Sequence, residues 1–459
     1  VSDPTAYLLE RAWVDGRVEN DVLVEIQAGR FTSVTASTDS RRFSGVATAE
    51  KRGNPRLTGD PDGDSPTRLA GLTIPGLANC HSHAFHRALR GRTQRGRGTF
   101  WTWREQMYDL AARLDPDSYL DLATVTFSEM VAAGITAVGE FHYLHHQPDG
   151  TPYDDANAMG LALLEAARRS GIRITLLDTC YLSSGFGAPP EGVQVRYDDG
   201  SADAWASRVA DLAESGYARI GAAIHSVRAV PREQLGTIVK AAAGRPLHVH
   251  LSEQVGENDA CVRAYGATPT QVLQDAGVLG PLTTAVHATH LTVTDVDALG
   301  GTGTYACFCP TTERDLGDGI GPSLALHDAG SPLTLGSDSH AVIDLFEEMR
   351  AVELDERLAT QRRGHWTAAE LIEAATRHES LGWQEEAGAI AVGKRADLVT
   401  IATDRVRTAG TGADEQTVVF AAAAEDITHV VADGRVVLRE GDREQLGRDL
   451  ADVIGRLWP

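Results

Sequence analysis

The chain has 459 residues, 42% apolar and 23% charged, an ordinary globular balance and enough length for a barrel plus a smaller unit. Its 42 basic and 64 acidic residues leave a formal charge of −22, a field that repels nucleic acid and anionic membrane and excludes both as expected partners. No apolar run approaches the ~20 residues that span a bilayer and no signal-peptide pattern opens the chain. The five cysteines (Cys80, Cys180, Cys261, Cys307, Cys309) are scattered without zinc-finger spacing, so reduced thiols and a cytoplasmic location are expected.

In chain order, residues 6–14, 21–27 and 30–35 alternate in the manner of strands. Asp15-Gly16 and Ala28-Gly29 between them are hairpin turn chemistry. Residues 37–68 are rich in Asp, Gly, Pro and Arg without periodicity and read as a surface loop or mobile insertion. Short apolar runs then alternate with helical periodicity. The runs fall at 72–74, 135–141, 172–178, 219–224, 246–251, 282–287, 304–308 and 332–336, with helices expected at 116–133, 157–169, 202–214 and 231–243. Eight near-continuously apolar strands joined by helices predict an α/β fold, a closed parallel (β/α)8 TIM-like barrel. Helices at 345–360 and 368–377 follow. β character returns at 388–390, 393–401, 427–431 and 435–438 before a last helix at 446–458. The expected organisation is a barrel over 74–384 and a small β-sandwich built from both termini, 1–73 and 385–459.

The chemistry is concentrated at strand ends, where barrels place their catalytic groups. The first barrel strand leads into His81-Ser82-His83, and side chains at i and i+2 of an extended strand share one side. The fifth ends in His248-Val249-His250-Leu251-Ser252-Glu253, the sixth carries His287, and the eighth runs into Gly336-Ser337-Asp338-Ser339-His340. His81, His83, His250 and Asp338 form a His₃Asp set suited to Zn²⁺, with a position left for water. His248 and His340 read as supporting or surface groups. The only lysines, Lys51, Lys240 and Lys394, lie away from strand ends, so no carboxylated lysine bridges two metals and one ion per chain is expected.

The run Pro75-Gly76-Leu77 through His83, the order His250, His287, Asp338, and the segment from Gly388 to Ala396-Asp397-Leu398 resemble the amidohydrolase superfamily. Narrower strings are similar to its deiminase branch acting on N-formimino-L-glutamate: Phe100-Trp101-Thr102-Trp103-Arg104-Glu105, Glu140 to His146, His225-Ser226-Val227-Arg228 and Cys309-Pro310-Thr311-Thr312-Glu313. The resemblance implies a zinc enzyme of histidine degradation, with iron as the alternative metal, that converts N-formimino-L-glutamate and water to N-formyl-L-glutamate and ammonia. It implies His81, His83, His250 and Asp338 as ligands, Glu253, His287 and Asp338 in proton transfer, and Arg104, Tyr143, His225 and Arg228 on a small anionic dicarboxylate. It further implies a homodimer. His86 stands where some relatives carry Gln, and its imidazole can donate to substrate in that place. Glu253, three residues past His250, is placed to deliver a proton to the departing nitrogen, while Asp338 and His287 both qualify as base. Two other readings compete. A deaminase of guanine or an adenosine derivative would show an apolar, aromatic pocket in place of paired arginines, and a non-catalytic scaffold would lack ligands.

Overall fold

The computed structural model describes residues 5–36, 66–94, 97–384 and 386–458; the loop expected over 37–68 falls, but for its last residues, outside them. The strands are β1 (Thr5–Val14), β2 (Arg17–Gln27), β3 (Arg30–Ala36), β4 (Thr67–Pro75), β5 (Leu77–Ser82), β6 (Ile135–His142), β7 (Arg173–Cys180), β8 (Ala218–Ile224), β9 (Leu247–Leu251), β10 (Thr283–His287), β11 (Tyr305–Phe308), β12 (Leu333–Leu335), β13 (Leu398–Ile401), β14 (Ile427–Ala432) and β15 (Arg435–Arg439).

They form two sheets. The smaller draws on both ends of the chain, in the order β15-β14-β13-β4-β1-β2-β3. Its hairpins turn at Asp15-Gly16, Ala28-Gly29 and Asp433-Gly434, each pair with positive φ as two-residue hairpin loops require. The run at 72–74, expected as the first barrel strand, belongs to this sheet instead: Leu72 pairs with Ile401 and Ile74 with Val399. The barrel starts at β5. Only Gly76 separates β4 from β5, and a side chain there would bring Cβ to 2.2 Å from Thr136 Oγ1. A glycine is what lets the chain cross so closely from one sheet to the other.

The larger sheet runs β5 to β12, each strand hydrogen-bonded to the next in sequence order and parallel to it. A parallel bridge between Ser82 and Asp338 joins the first strand to the segment after the last, closing the eight-stranded barrel. β6 and β7 are buried along their whole length, as parallel strands covered on both faces are.

Several element boundaries move. The helix expected over 202–214 stops at Val209, and that expected over 231–243 is a short 3-10 turn, Arg232–Gln234, followed by Leu235–Ala241. The β character expected at 388–397 forms no regular ladder. Gly393 N–H donates to Phe31 O at 2.8 Å and Ala396 N–H to Gly29 O at 2.8 Å, so this strap spends its backbone on the β2–β3 turn and strand pairing begins at Leu398. The last helix, Arg443–Leu457, reaches the site side of the barrel, where Trp458 Nε1 donates to Ala88 O at 2.9 Å.

Candidate active site

The predicted ligands meet at the C-terminal ends of the barrel strands. His81 Nε2 and His83 Nε2 each lie 3.4 Å from Asp338 Oδ1, and His250 Nε2 lies 3.1 Å from His81 Nε2. A tetrahedral ion with ligand bonds of roughly 2.0–2.1 Å has donor–donor edges of roughly 3.3–3.4 Å. His81, His83 and Asp338 fit a metal ion in element type and their donor atoms lie within 4.8 Å of one another, as do those of His81, His250 and His287.

The predicted ligands His83, His250 and Asp338 are braced, while His81 Nδ1 is buried without a hydrogen-bond partner among the described residues. His83 Nδ1 donates to Phe141 O at 2.9 Å, which leaves its Nε2 lone pair facing the centre. The Phe141 ring stacks on His250 at 4.3 Å between centroids. Asp338 sits in left-handed backbone, φ 42°, held there because its N–H donates to His81 O at 3.0 Å and its C=O accepts from His83 N at 3.3 Å. Beneath it, Asn79 and Ser337 exchange bonds of 2.7 and 2.9 Å, and His340 bridges Ser82 Oγ and Ser337 Oγ at 3.2 and 3.0 Å. His340 is thus a brace. His248 points away from the centre and bonds Ser380 O at 3.1 Å.

Burial keeps the imidazoles in their neutral, donor form: it pushes His81 down to about 3 and lowers His83, with His250 well below its usual range. Burial works against the Asp338 carboxylate too, but the hydrogen bond with His81 and the charge of His287 outweigh it and hold the group ionised. His287 is ringed by carboxylates, with Nε2 at 3.8 Å from Glu253 Oε1 and 3.9 Å from Asp338 Oδ2, and Nδ1 at 3.4 Å from Glu313 Oε1. Burial would lower that imidazole; the acidic ring raises it well above its usual range. Glu253 is pushed up by burial, so it can carry a proton.

Beside this centre opens a cleft lined by His86, Arg104, Tyr143, His225 and Arg228, together with Glu253, His287 and Asp338. The structure thus brings every predicted substrate and proton-transfer residue to one place. His83 and His250 also line the cleft, while His81 reaches the same centre through Asp338 and His250. His86 Nε2 lies 3.0 Å from Tyr143 OH. One nitrogen of Arg228, Nη1, is buried without a hydrogen-bond partner among the described residues.

The sequence reading missed residues that act through others. Glu140 accepts from Ser82 Oγ at 2.6 Å and from Ala84 N at 2.7 Å, fixing the chain on either side of His83, and burial raises its carboxyl to about 8. Its only signal is its place in the run from Glu140 to His146, near the end of an apolar strand. Tyr108, Tyr181 and Gln194 give no such signal, and Glu313 only its place in a quoted string. A second group of ligand types, His142, His145 and Asp178, is structural: Arg208 makes two bonds of 2.9 Å to Asp178 and leaves no room for a cation's charge.

The sequence pattern of the Amidohydrolase family matches residues 72–437. The chain belongs to the amidohydrolase family. This amidohydrolase is 36% identical over 422 residues to formimidoylglutamate deiminase of Pseudomonas aeruginosa, covering 87% of this chain and 92% of that protein. It is 29% identical to the 8-oxoguanine deaminase of the same organism, over 84% of this chain and 86% of that one. Among solved structures, an amidohydrolase from Brucella melitensis superposes with a TM-score of 0.86 at 28% identity, covering 99% of this chain and 100% of that one. The family is metal-dependent, in keeping with the donor set. Among the described residues no helix is long and apolar enough to cross a membrane, and all five cysteines are buried and free.

Proposed function

We propose that this amidohydrolase hydrolyses N-formimino-L-glutamate to N-formyl-L-glutamate and ammonia, with one Zn²⁺ held by His81, His83, His250 and Asp338. The observation that carries the reading is the pair Arg104 and Arg228 in the same cleft as the donor set. In a protein of charge −22 a dicarboxylate is not drawn by the general field and needs local guanidinium forks. The unpartnered Nη1 of Arg228 supports this, since a desolvated charged donor is unfavourable until an anion meets it. The likeness to the Pseudomonas deiminase supports the same substrate.

When bound, the metal supplies Lewis acidity that lowers a water's pKa to about 7. The side chains do the rest. Asp338, held ionised, is the group that takes the water's proton as it adds to the formimino carbon, and His287, 3.9 Å from it and kept charged by the carboxylates around it, stabilises the negative charge on the attacking oxygen. Glu253, kept protonated more readily by burial, lies 3.8 Å from His287 and delivers a proton to the departing nitrogen. Tyr143, bonded to His86, and His225 line the approach and orient the substrate. A homodimer is the part of the proposal carried by the resemblance, a cytoplasmic location the part carried by the free, scattered cysteines, and iron is the alternative metal.

Ammonia release from N-formimino-L-glutamate, measured beside guanine, 8-oxoguanine and adenosine, tests it. Preference for a heterocycle would replace it with the deaminase reading, which the aromatic residues Trp103, Tyr181 and Tyr197 in the cleft would then explain.

A further inference from the structure

One wall of the cleft holds an arrangement that the expected contacts do not use. Gln194, in the 3-10 turn Gly192–Arg196, is buried, and its amide nitrogen lies 3.0 Å from Tyr108 OH and 2.8 Å from Tyr181 OH. The other amide atom meets the backbone N–H of Glu191 at 3.1 Å. A backbone N–H can only donate, so that atom is the carbonyl oxygen and the one facing the phenols is the NH₂, itself only a donor. Arg104 Nε also donates to Tyr108 OH, at 2.5 Å. The Tyr108 oxygen therefore accepts twice and the Tyr181 oxygen once. No acceptor for either hydroxyl hydrogen is found among the described residues, and both rings line the cleft with Arg104 and Arg228.

We propose that Tyr108 and Tyr181 donate their hydroxyl hydrogens to a substrate carboxylate beside Arg104 and Arg228, and that Gln194 is the positioning residue that aims both hydroxyls. The proposal rests on the dicarboxylate reading of the site and adds a specificity element to it. A carboxylate offers lone pairs on both oxygens, whereas a carboxamide turns an N–H donor toward one of the hydroxyl hydrogens. The arrangement selects carboxylate against carboxamide by leaving the amide a donor facing a donor. Burial pushes Tyr108 up to about 12, so its hydroxyl keeps its proton at physiological pH.

The test is calorimetric binding of N-formyl-L-glutamate, and of its two monocarboxamides N-formyl-L-glutamine and N-formyl-L-isoglutamine, to the metal-loaded enzyme. Gln194→Glu keeps the size and the acceptor for Glu191 N–H but presents oxygen to both phenols, which then turn their hydrogens from the cleft. Removing hydrogen bonds to a charged group should weaken N-formyl-L-glutamate by about 10- to 100-fold. The monocarboxamide that replaces the contacted carboxylate should weaken less, by under about 10-fold, because its neutral oxygen accepts from only one of the two hydroxyls. Tyr108→Phe and Tyr181→Phe, which keep the rings, should reproduce the split and carry the comparison if Gln194→Glu does not fold. Equal weakening of all three ligands, no weakening, or failure of the wild type to bind N-formyl-L-glutamate overturns the proposal. Turnover of N-formimino-L-glutamate by the wild type is scored separately. Its absence beside an intact binding split sinks the proposed reaction alone, and its presence without the split sinks only this inference.

Discussion

Ser82 and Asp338 form the bridge that closes the barrel, and the same two residues flank or belong to the proposed ligand set. The backbone bonds on either side, Asp338 N–H to His81 O and His83 N–H to Asp338 O, tie the first strand to the segment after the last. Closing the sheet and assembling the metal centre are one structural event. Metal removal should therefore loosen the barrel seam as well as stop turnover. A ligand bound a thousand-fold above its Kd stabilises a native state by about 4 kcal/mol. Chelated protein should lose activity and melt lower, and added Zn²⁺ should restore both with one ion per chain. Two tightly held ions, or a melting temperature indifferent to the metal, would contradict this.

Proton transfer gives a second prediction. Asp338→Asn and Glu253→Gln should each reduce kcat by about 10²- to 10⁴-fold, the range of a lost general acid or base, while circular dichroism shows the fold intact. Asp338→Asn should also release metal, because its Oδ1 lies 3.4 Å from both His81 and His83. Turnover near wild type in Glu253→Gln would remove Glu253 from the role.

A third concerns the joint between the two sheets. Arg173, at the start of β7, and Asp397, just before β13, are both buried and share a two-pronged ion pair that Asp433 extends. Burial pushes the Asp397 carboxyl up, but the charge and bonds of Arg173 outweigh it and the folded value lies below the ordinary one. A depressed folded pKa contributes stability that is present above the unfolded value near ~3.9 and is lost as pH falls through the folded one. Asp397→Asn should destabilise at pH 7 by less than the roughly 3–5 kcal/mol of a buried guanidinium left unpaired, because Asp433 remains 3.2 Å from Arg173. In urea titrations that deficit should narrow below pH ~4. An equal deficit at pH 3 and pH 7 would mean that the pair acts by packing rather than charge.

What was legible in the sequence follows from what leaves a local trace. His81 and His83 share a face because side chains alternate along a strand, and His250, His287 and Asp338 stand where apolar runs end, so strand ends alone locate the centre. The switch between sheets at Gly76 leaves no trace of that kind. Apolar residues run on either side of it, and whether 72–74 or 77–82 faces the barrel depends on partners at 398–401, more than 300 residues away. The strap at 393–396 reads as the start of a strand over 393–401 but bonds a turn. Gln194 is hidden for a like reason: it meets Tyr108 only because the turn after β7 folds back over the helix Phe100–Ala111.

The last prediction concerns Arg104 and Arg228, which reach the cleft from different elements, one on the helix after β5 and the other just past β8. Arg104 is fixed by its bond to Tyr108, and its guanidinium carbon lies 5.1 Å from the centroid of that ring. Arg228 holds a buried N–H without a partner among the described residues. A solvated surface arginine would be neither anchored nor desolvated, so both observations favour a role in binding. Losing the partner of a desolvated carboxylate costs about 2–5 kcal/mol, roughly 30- to several-thousand-fold in kcat/KM. Arg104→Ala and Arg228→Ala should each reduce N-formimino-L-glutamate turnover on that scale while metal content stays at the wild-type value, since neither belongs to the donor set. Analogues lacking one carboxylate should be poor substrates for the wild type and should lose less when the matching arginine is removed, because the bond is then already missing. That coupling is the decisive readout. If both alanine variants process N-formimino-L-glutamate normally, the guanidiniums do not hold its carboxylates and the dicarboxylate reading of the cleft fails.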